Sequence, residues 1–191
     1  AVLASSLEQG SAAARRALGR VEAIEGACAR DADRVIAVSA EEREELINRY
    51  GLNPSKVSLA PNGTDTGAIV YTDPKQRRVN QKAYGLEGYF TALFIGSWHG
   101  PNIDAVRYIA EIAQAVPWAD CLLMGSVCDA PLVDLPSNCH RLGIVSEGEK
   151  RRWLATADCA LNPINAGAGS NLKLVEYAAA GVPIITSVFG N

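Results

Sequence analysis

From residue 89 onward, short apolar runs alternate with amphipathic stretches, and several of the runs stop at a glycine. Tyr89–Ile95 ends at Gly96, Cys121–Met124 at Gly125 and Cys139–Leu142 at Gly143; Asp158–Asn162 and Val182–Thr186 complete the series. Each has the length and composition of a buried strand. Between them lie helical patterns. Over Pro101–Val116, Val106, Ile109, Ala113 and Val116 share one face, while Arg107, Glu111 and Gln114 lie opposite. Ser146 and Glu149 form a capping box for a helix running to Ala155. Ser170–Ala180 reads as a helix closed by Gly181. Strand, helix, strand repeated in this way predicts an α/β fold with a Rossmann-like parallel sheet and helices on both faces. Ligands in such sheets bind at the carboxyl ends of the strands.

The first part of the chain is patterned differently. Residues 5–30 are rich in Ala, Arg and Glu and predict one helix, weakened at Gly10, Gly19 and Gly26. Arg34–Val38 predicts a short buried strand. Ser39 and Glu42 form another capping box, whose helix runs to Tyr50 with Gly51 as its C-cap. Val57–Ala60 predicts a further strand, stopped by Pro61, Asn62 and Gly63. Residues 61–88 are polar, show little periodicity and predict a linker. The expected organisation is therefore a small piece over 1–60, a linker over 61–88 and a Rossmann-like domain over 89–191. The chain opens without Met and stops just after a strand-like run, so a longer parent protein is expected.

Composition narrows the function classes. The chain has 191 residues, 48% hydrophobic and 20% charged, with a net charge of −3. That balance argues against a dedicated nucleic-acid binder. Cys28, Cys121, Cys128, Cys139 and Cys159 follow no metal-ligand spacing. Cys121 and Cys159 lie in apolar runs and read as small buried hydrophobes. A reducing, cytoplasmic location is expected. No apolar run is long enough to span a bilayer, and the N-terminus has no basic leader.

Chemistry concentrates between Asn165 and Ile185. A Gly-rich loop opens a helix there, and Gly167 and Gly169 let backbone approach an anion closely. A helix N-terminus with free N–H groups and a partial positive charge is a phosphate site. Lys173, in the first turn, opposes the helix dipole unless an anion is bound. Glu176 lies one turn on, and Ala180 falls between the two on the helical wheel, leaving room for a ligand. Val175 and Ala179 turn toward the core. A solvated Lys173–Glu176 pair is the plainer reading, and spacing alone leaves both open. The loop Gly96, Ser97, Trp98, His99, Gly100 follows the first strand of the repeat, and its small residues and free N–H groups are expected to face the same ligand; His99 reads either as a hydrogen-bonding partner of phosphate or sugar or as a loop histidine with no role. His99 and His140 are the only histidines, and no nucleophile–His–Asp set or metal cluster emerges.

The order of these segments resembles the retaining group 1 glycosyltransferases of the GT-B fold, over most of the chain from Ala32 onward. Ala32–Ser39 with Pro61–Gly63 is similar to the end of the family's acceptor domain and its crossover. Leu93–Gly96 is similar to the start of the donor domain, and Glu176–Ile185 to the signature helix and strand. The resemblance implies that Glu176 holds the ribose hydroxyls of the donor nucleotide. It implies that backbone N–H groups of Gly169, Ser170, Asn171 and Leu172 meet the diphosphate and sugar. The base would rest on main-chain atoms at Gly143, Ile144 and Val145. Many members carry a Glu eight residues before the ribose Glu, where this chain has Ala168, and Arg and Lys after the first donor-domain strand, where it has neither. Some members share both departures, and there Lys173 is the main cation on the diphosphate.

The implied activity is transfer of a glycosyl group from a nucleotide-diphosphate sugar with retention of configuration, carried by Lys173 and Glu176 without a metal or cofactor. A glycan, lipid or small molecule is the expected acceptor. Peripheral membrane association through an N-terminal half beyond this chain is expected, as are self-association through residues 5–30 and inactivity of the chain alone. A non-catalytic nucleotide- or protein-binding module of the same fold, favoured by Ala168, and a sugar-nucleotide epimerase are the alternatives.

Overall fold

The computed structural model describes residues 12–131, 134–165 and 172–188, and these fall into two compact units divided between Gly63 and Thr64. The first holds α1 (Ala12–Asp31), β1 (Val35–Ala37), α2 (Ala40–Tyr50) and β2 (Val57–Leu59). Its strands pair in parallel, Val35 opposite Val57 and Ala37 opposite Leu59, over a core of Ala29, Ala37, Leu52 and Val57. The Ser39 hydroxyl accepts the Glu42 N–H at 3.1 Å. The Glu42 carboxylate accepts from the Val38 N–H at 2.7 Å, one residue earlier than a reciprocal box requires. Gly51 ends α2 in the left-handed conformation, at φ 62°. Gly26 weakens α1 locally but admits Tyr50, since a Cβ there would stand 2.8 Å from the Tyr50 ring.

The second unit holds α3 (Pro74–Ala83), β3 (Phe90–Ile95), α4 (Gly100–Ala115), β4 (Ala119–Met124), β5 (Cys139–Gly143), α5 (Glu147–Leu154), β6 (Cys159–Asn162), α6 (Leu172–Ala179) and β7 (Ile184–Thr186). The strands form one sheet in the order β5-β4-β3-β6-β7, and every pairing is parallel. Alternate residues go to opposite faces. Ala92, Phe94, Cys121, Leu123 and Cys159 meet Val106, Ile109 and Ala113 of α4. Leu93, Leu122, Met124 and Ala160 meet Leu154 of α5 and Tyr177 of α6. Helices therefore cover both faces, as the alternation of patterns predicts. Val116, expected on the buried face, is the half-buried C-cap of α4. Cys121, Cys128, Cys139 and Cys159 are buried free thiols. Burial pushes Cys139 up to about 12 and Cys121 and Cys159 to about 11, so they stay protonated and inert at neutral pH.

Residues 61–88, expected as a linker from their polarity, hold a helix. They contain α3, capped by Asp73, whose carboxylate accepts from the Lys75 and Gln76 N–H groups at 2.8 and 3.0 Å. The buried side chains of α3 are polar: Arg77 and Gln81. Arg77 Nη1 donates to the carbonyls of Leu154 (2.8 Å) and Ala157 (2.9 Å). Its Nη2 donates to Ala180 (3.0 Å), Gly181 (3.2 Å) and Thr72 (3.3 Å). Gln81 donates to the Thr156 carbonyl and the Asp158 carboxylate, at 2.8 and 3.0 Å. One guanidinium thus satisfies carbonyls at the C-terminal ends of both α5 and α6, where a cation also suits the helix dipoles.

Candidate functional site

Strand order sets the location. β3, β4 and β5 run outward in one direction and β6 and β7 in the other, so the order reverses between β3 and β6. The carboxyl ends of those two strands flank the crevice where sheets of this type take ligands. On the β3 side of it, the ends of β3, β4 and β5 are sewn together. Gly96 N–H donates to the Met124 carbonyl at 2.9 Å, Gly125 N–H to Gly143 at 2.7 Å and Val127 N–H to Gly96 at 3.1 Å. Gly125 has φ 99°, and a Cβ on it would lie 2.4 Å from the Gly96 carbonyl oxygen, so both the turn and the close approach need glycine. At Gly96 a Cβ would stand 2.8 Å from the Phe94 ring.

Lys173, in the first turn of α6, crosses this crevice. Its ammonium donates to Asn102 Oδ1 of α4 at 2.9 Å and lies 4.4 Å from the centroid of the Phe94 ring. Asn102 Nδ2 in turn donates to the Ser97 carbonyl at 3.0 Å and its hydroxyl at 3.3 Å. The structure therefore brings Gly96, Ser97 and Lys173 together, with Asn102 as the joint. Lys173 makes no ion pair among the described residues. Burial pulls its pKa down to about 8. A sheltered amine held by one amide oxygen and a ring face is the kind of group whose charged form a neighbouring anion favours.

Glu176 does not pair with Lys173. Its Oε1 accepts from Lys150 of α5 at 2.9 Å, and Lys150 also meets Glu147 at 3.1 Å. Burial opposes the Lys150 charge, but the bonds to Glu176 and Glu147 outweigh it and raise the pKa. Tyr177 is fully buried, and its hydroxyl oxygen accepts the Ile95 N–H at 2.8 Å, fastening α6 to the end of β3. Ala180, expected to leave room for a ligand, is instead buried at the base of α6, where its carbonyl accepts from Thr72 and Arg77. Val175 and Ala179 are half-buried, with Ala179 packed on the core.

Ile144 is 74% exposed at the end of β5, and Val145 beside it is half-buried. Leu172 is exposed at the start of α6, as is Ser97 after β3. His99 is the exposed N-cap position of α4 and makes no side-chain cap bond. Trp98 is also exposed. Ala168, Gly169, Ser170 and Asn171 lie outside the described residues. Sequence reasoning missed Asn102, Lys150 and Tyr177. Asn102 carried a signal in the Pro101–Asn102 pair opening α4, and Lys150 one in its spacing from Glu147. Among the described residues no cluster suits a metal ion, and no helix is long and apolar enough to cross a membrane.

Residues 89–191 match the family model described as glycosyl transferases group 1. The chain belongs to that family. Residues 8–68 match the model for glycosyltransferase family 4. Among curated proteins, the chain is 26% identical over 194 residues to the D-inositol 3-phosphate glycosyltransferase of Pseudarthrobacter chlorophenolicus, covering 92% of this chain and 43% of that protein. It is 30% identical over 122 residues to the enzyme of the same name from Kineococcus radiotolerans, covering 62% and 26%. The chain thus spans under half the length of these relatives. Among solved structures, sucrose-phosphate synthase from Thermosynechococcus elongatus superposes with a TM-score of 0.68 at 18% identity, covering 87% of this chain and 43% of that one. Anabaena Alr3699/HepE, solved with UDP-glucose, superposes at 0.60 with 20% identity, covering 83% and 46%. The fold of this group 1 chain is accordingly the α/β arrangement of GT-B glycosyltransferases.

Proposed function

We propose that the second unit binds a nucleotide-diphosphate sugar at the carboxyl edge of its sheet and serves a glycosyltransferase that retains the donor's configuration without a metal. The observation that carries this reading is Lys173: a sheltered ammonium without an ion-pair partner among the described residues, aimed into the crevice by Asn102. In this arrangement the diphosphate lies against Lys173 Nζ and the Leu172 N–H at the start of α6, with Gly169, Ser170 and Asn171 preceding it in the chain. The ribose hydroxyls face Glu176, and the base lies along Ile144 and Val145. As the glycosyl bond breaks, negative charge grows on the leaving diphosphate, and Lys173 with the helix N-terminus stabilises it. Glu176 suits hydroxyls, because a carboxylate accepts hydrogen bonds and would repel phosphate.

Solved neighbours bound to UDP and UDP-glucose support a sugar-nucleotide donor. The curated relatives' name supports a small phosphorylated acceptor within the glycan, lipid and small-molecule classes. The test is binding of UDP and uridine to the chain and to Lys173→Ala. The expected loss for UDP is about tenfold to a hundredfold, in the range for a hydrogen bond to a charged group, with uridine unaffected. Equal loss for both ligands, or none for UDP, would overturn the reading.

A further inference from the structure

Among the described residues, one basic side chain touches Glu176, and it comes from a different helix. Lys150 Nζ lies 2.9 Å from Glu176 Oε1 and 3.1 Å from Glu147 Oε2. The Lys150 and Glu176 side chains are only 17% and 23% exposed, whereas Glu147 is 74% exposed. The Glu176 contact is thus the sheltered one and the Glu147 contact the weak, screened one. An ammonium has three donors, enough to hold both carboxylates at once. With Oε1 engaged, Glu176 keeps Oε2 for a ligand.

We infer that Lys150 is a positioning residue for the nucleotide's ribose, fixing Glu176 through one oxygen so that the other meets the hydroxyls. The inference rests on the donor-site reading above. A glutamate that rotates freely must be ordered when ligand binds, and a pre-formed contact removes that cost. Lys150 also has a second consequence, because α5 follows Ile144 and Val145 with only its cap, Ser146, between. The segment assigned to the base and the carboxylate assigned to the ribose are joined through this one amine. A plain inter-helix ion pair would stabilise the fold without touching sugar discrimination, and this separates the two roles.

The experiment measures UDP and 2′-deoxy-UDP binding to the chain and to Lys150→Met, Lys150→Arg, Glu147→Gln and Glu176→Gln, with thermal unfolding of each. The unsubstituted chain is expected to prefer UDP by about tenfold, the size of one charge-assisted hydrogen bond. In Lys150→Met the preference falls to about threefold or less, while Lys150→Arg and Glu147→Gln retain it. Full preference in a folded Lys150→Met overturns the inference. Should that variant fold poorly, Lys150→Gln, which still donates to one carboxylate, is expected to show an intermediate preference, and an undiminished one again overturns it. If Glu176→Gln keeps the preference, or the unsubstituted chain has none, the ribose assignment itself fails. No binding of UDP, ADP or GDP would remove the donor-site reading as a whole.

Discussion

Lys173 carries a pH signature. Burial holds its folded pKa near 8 against an ordinary lysine value of 10.5. A bound diphosphate favours the ammonium and raises that pKa, so above pH 8 binding takes up a proton. UDP affinity should then fall as pH rises, by up to about tenfold per unit above pH ~8, since the phosphate is already fully charged above its second pKa of about 6. Lys173→Ala should flatten the profile over the same range, and an equally flat profile in the unsubstituted chain would contradict the assignment. Folding is linked in the opposite sense. The unfolded chain holds more protons between the two pKa values, so this residue makes stability rise with pH across that window. Lys173 and Glu176 were legible as candidates because both sit near a Gly-rich helix start. Their partners were not, because Asn102 lies 71 residues away in the chain and Lys150 lies 26 away. Helical spacing suggests that Lys173 and Glu176 pair with each other; the fold offers each a better-placed partner on another helix.

At the scale of elements, α3 shows where pattern reading stops. Asp73 and Pro74 are a proper helix start, yet the stretch reads as a linker because its inward face is Arg77 and Gln81 rather than apolar residues. The polar pair is buried because helix ends offer carbonyls that need donors, a condition visible only after α5 and α6 are packed. Capped helices and glycine-stopped strands, by contrast, were legible because their signals are local. The full reciprocal box at Ser146 and Glu149 forms as expected, whereas at Ser39 the glutamate reaches Val38 instead. Arg77 and its neighbour Arg78 allow a direct comparison. Arg77→Met leaves five carbonyls without this donor and should cost about 3–5 kcal/mol of stability. The Arg78 side chain is 71% exposed beside Asp158, and Arg78→Met should cost about 1 kcal/mol or less. Chemical denaturation of both variants checks this; equal costs would show that the buried guanidinium is not the joint between α5 and α6.

At the scale of the molecule, the parallel order β5-β4-β3-β6-β7 follows from strands whose connections alternate with helices, and the reversal at β3 and β6 determines where a ligand can sit. Asn102 after β3 and Lys173 after β6 come from opposite sides of that reversal and meet across it. The sequence order alone shows five strands but not which two flank the crevice. That depends on the direction in which each crossover packs. A nucleotide-diphosphate donor is expected in this crevice with its diphosphate on Lys173. A crystal structure of the chain grown with UDP-glucose tests it most directly. The expected result is a diphosphate oxygen within hydrogen-bond distance of Lys173 Nζ and ribose hydroxyls facing Glu176. A nucleotide bound away from the β3–β6 crevice, or one whose base rather than diphosphate meets Lys173, would contradict it.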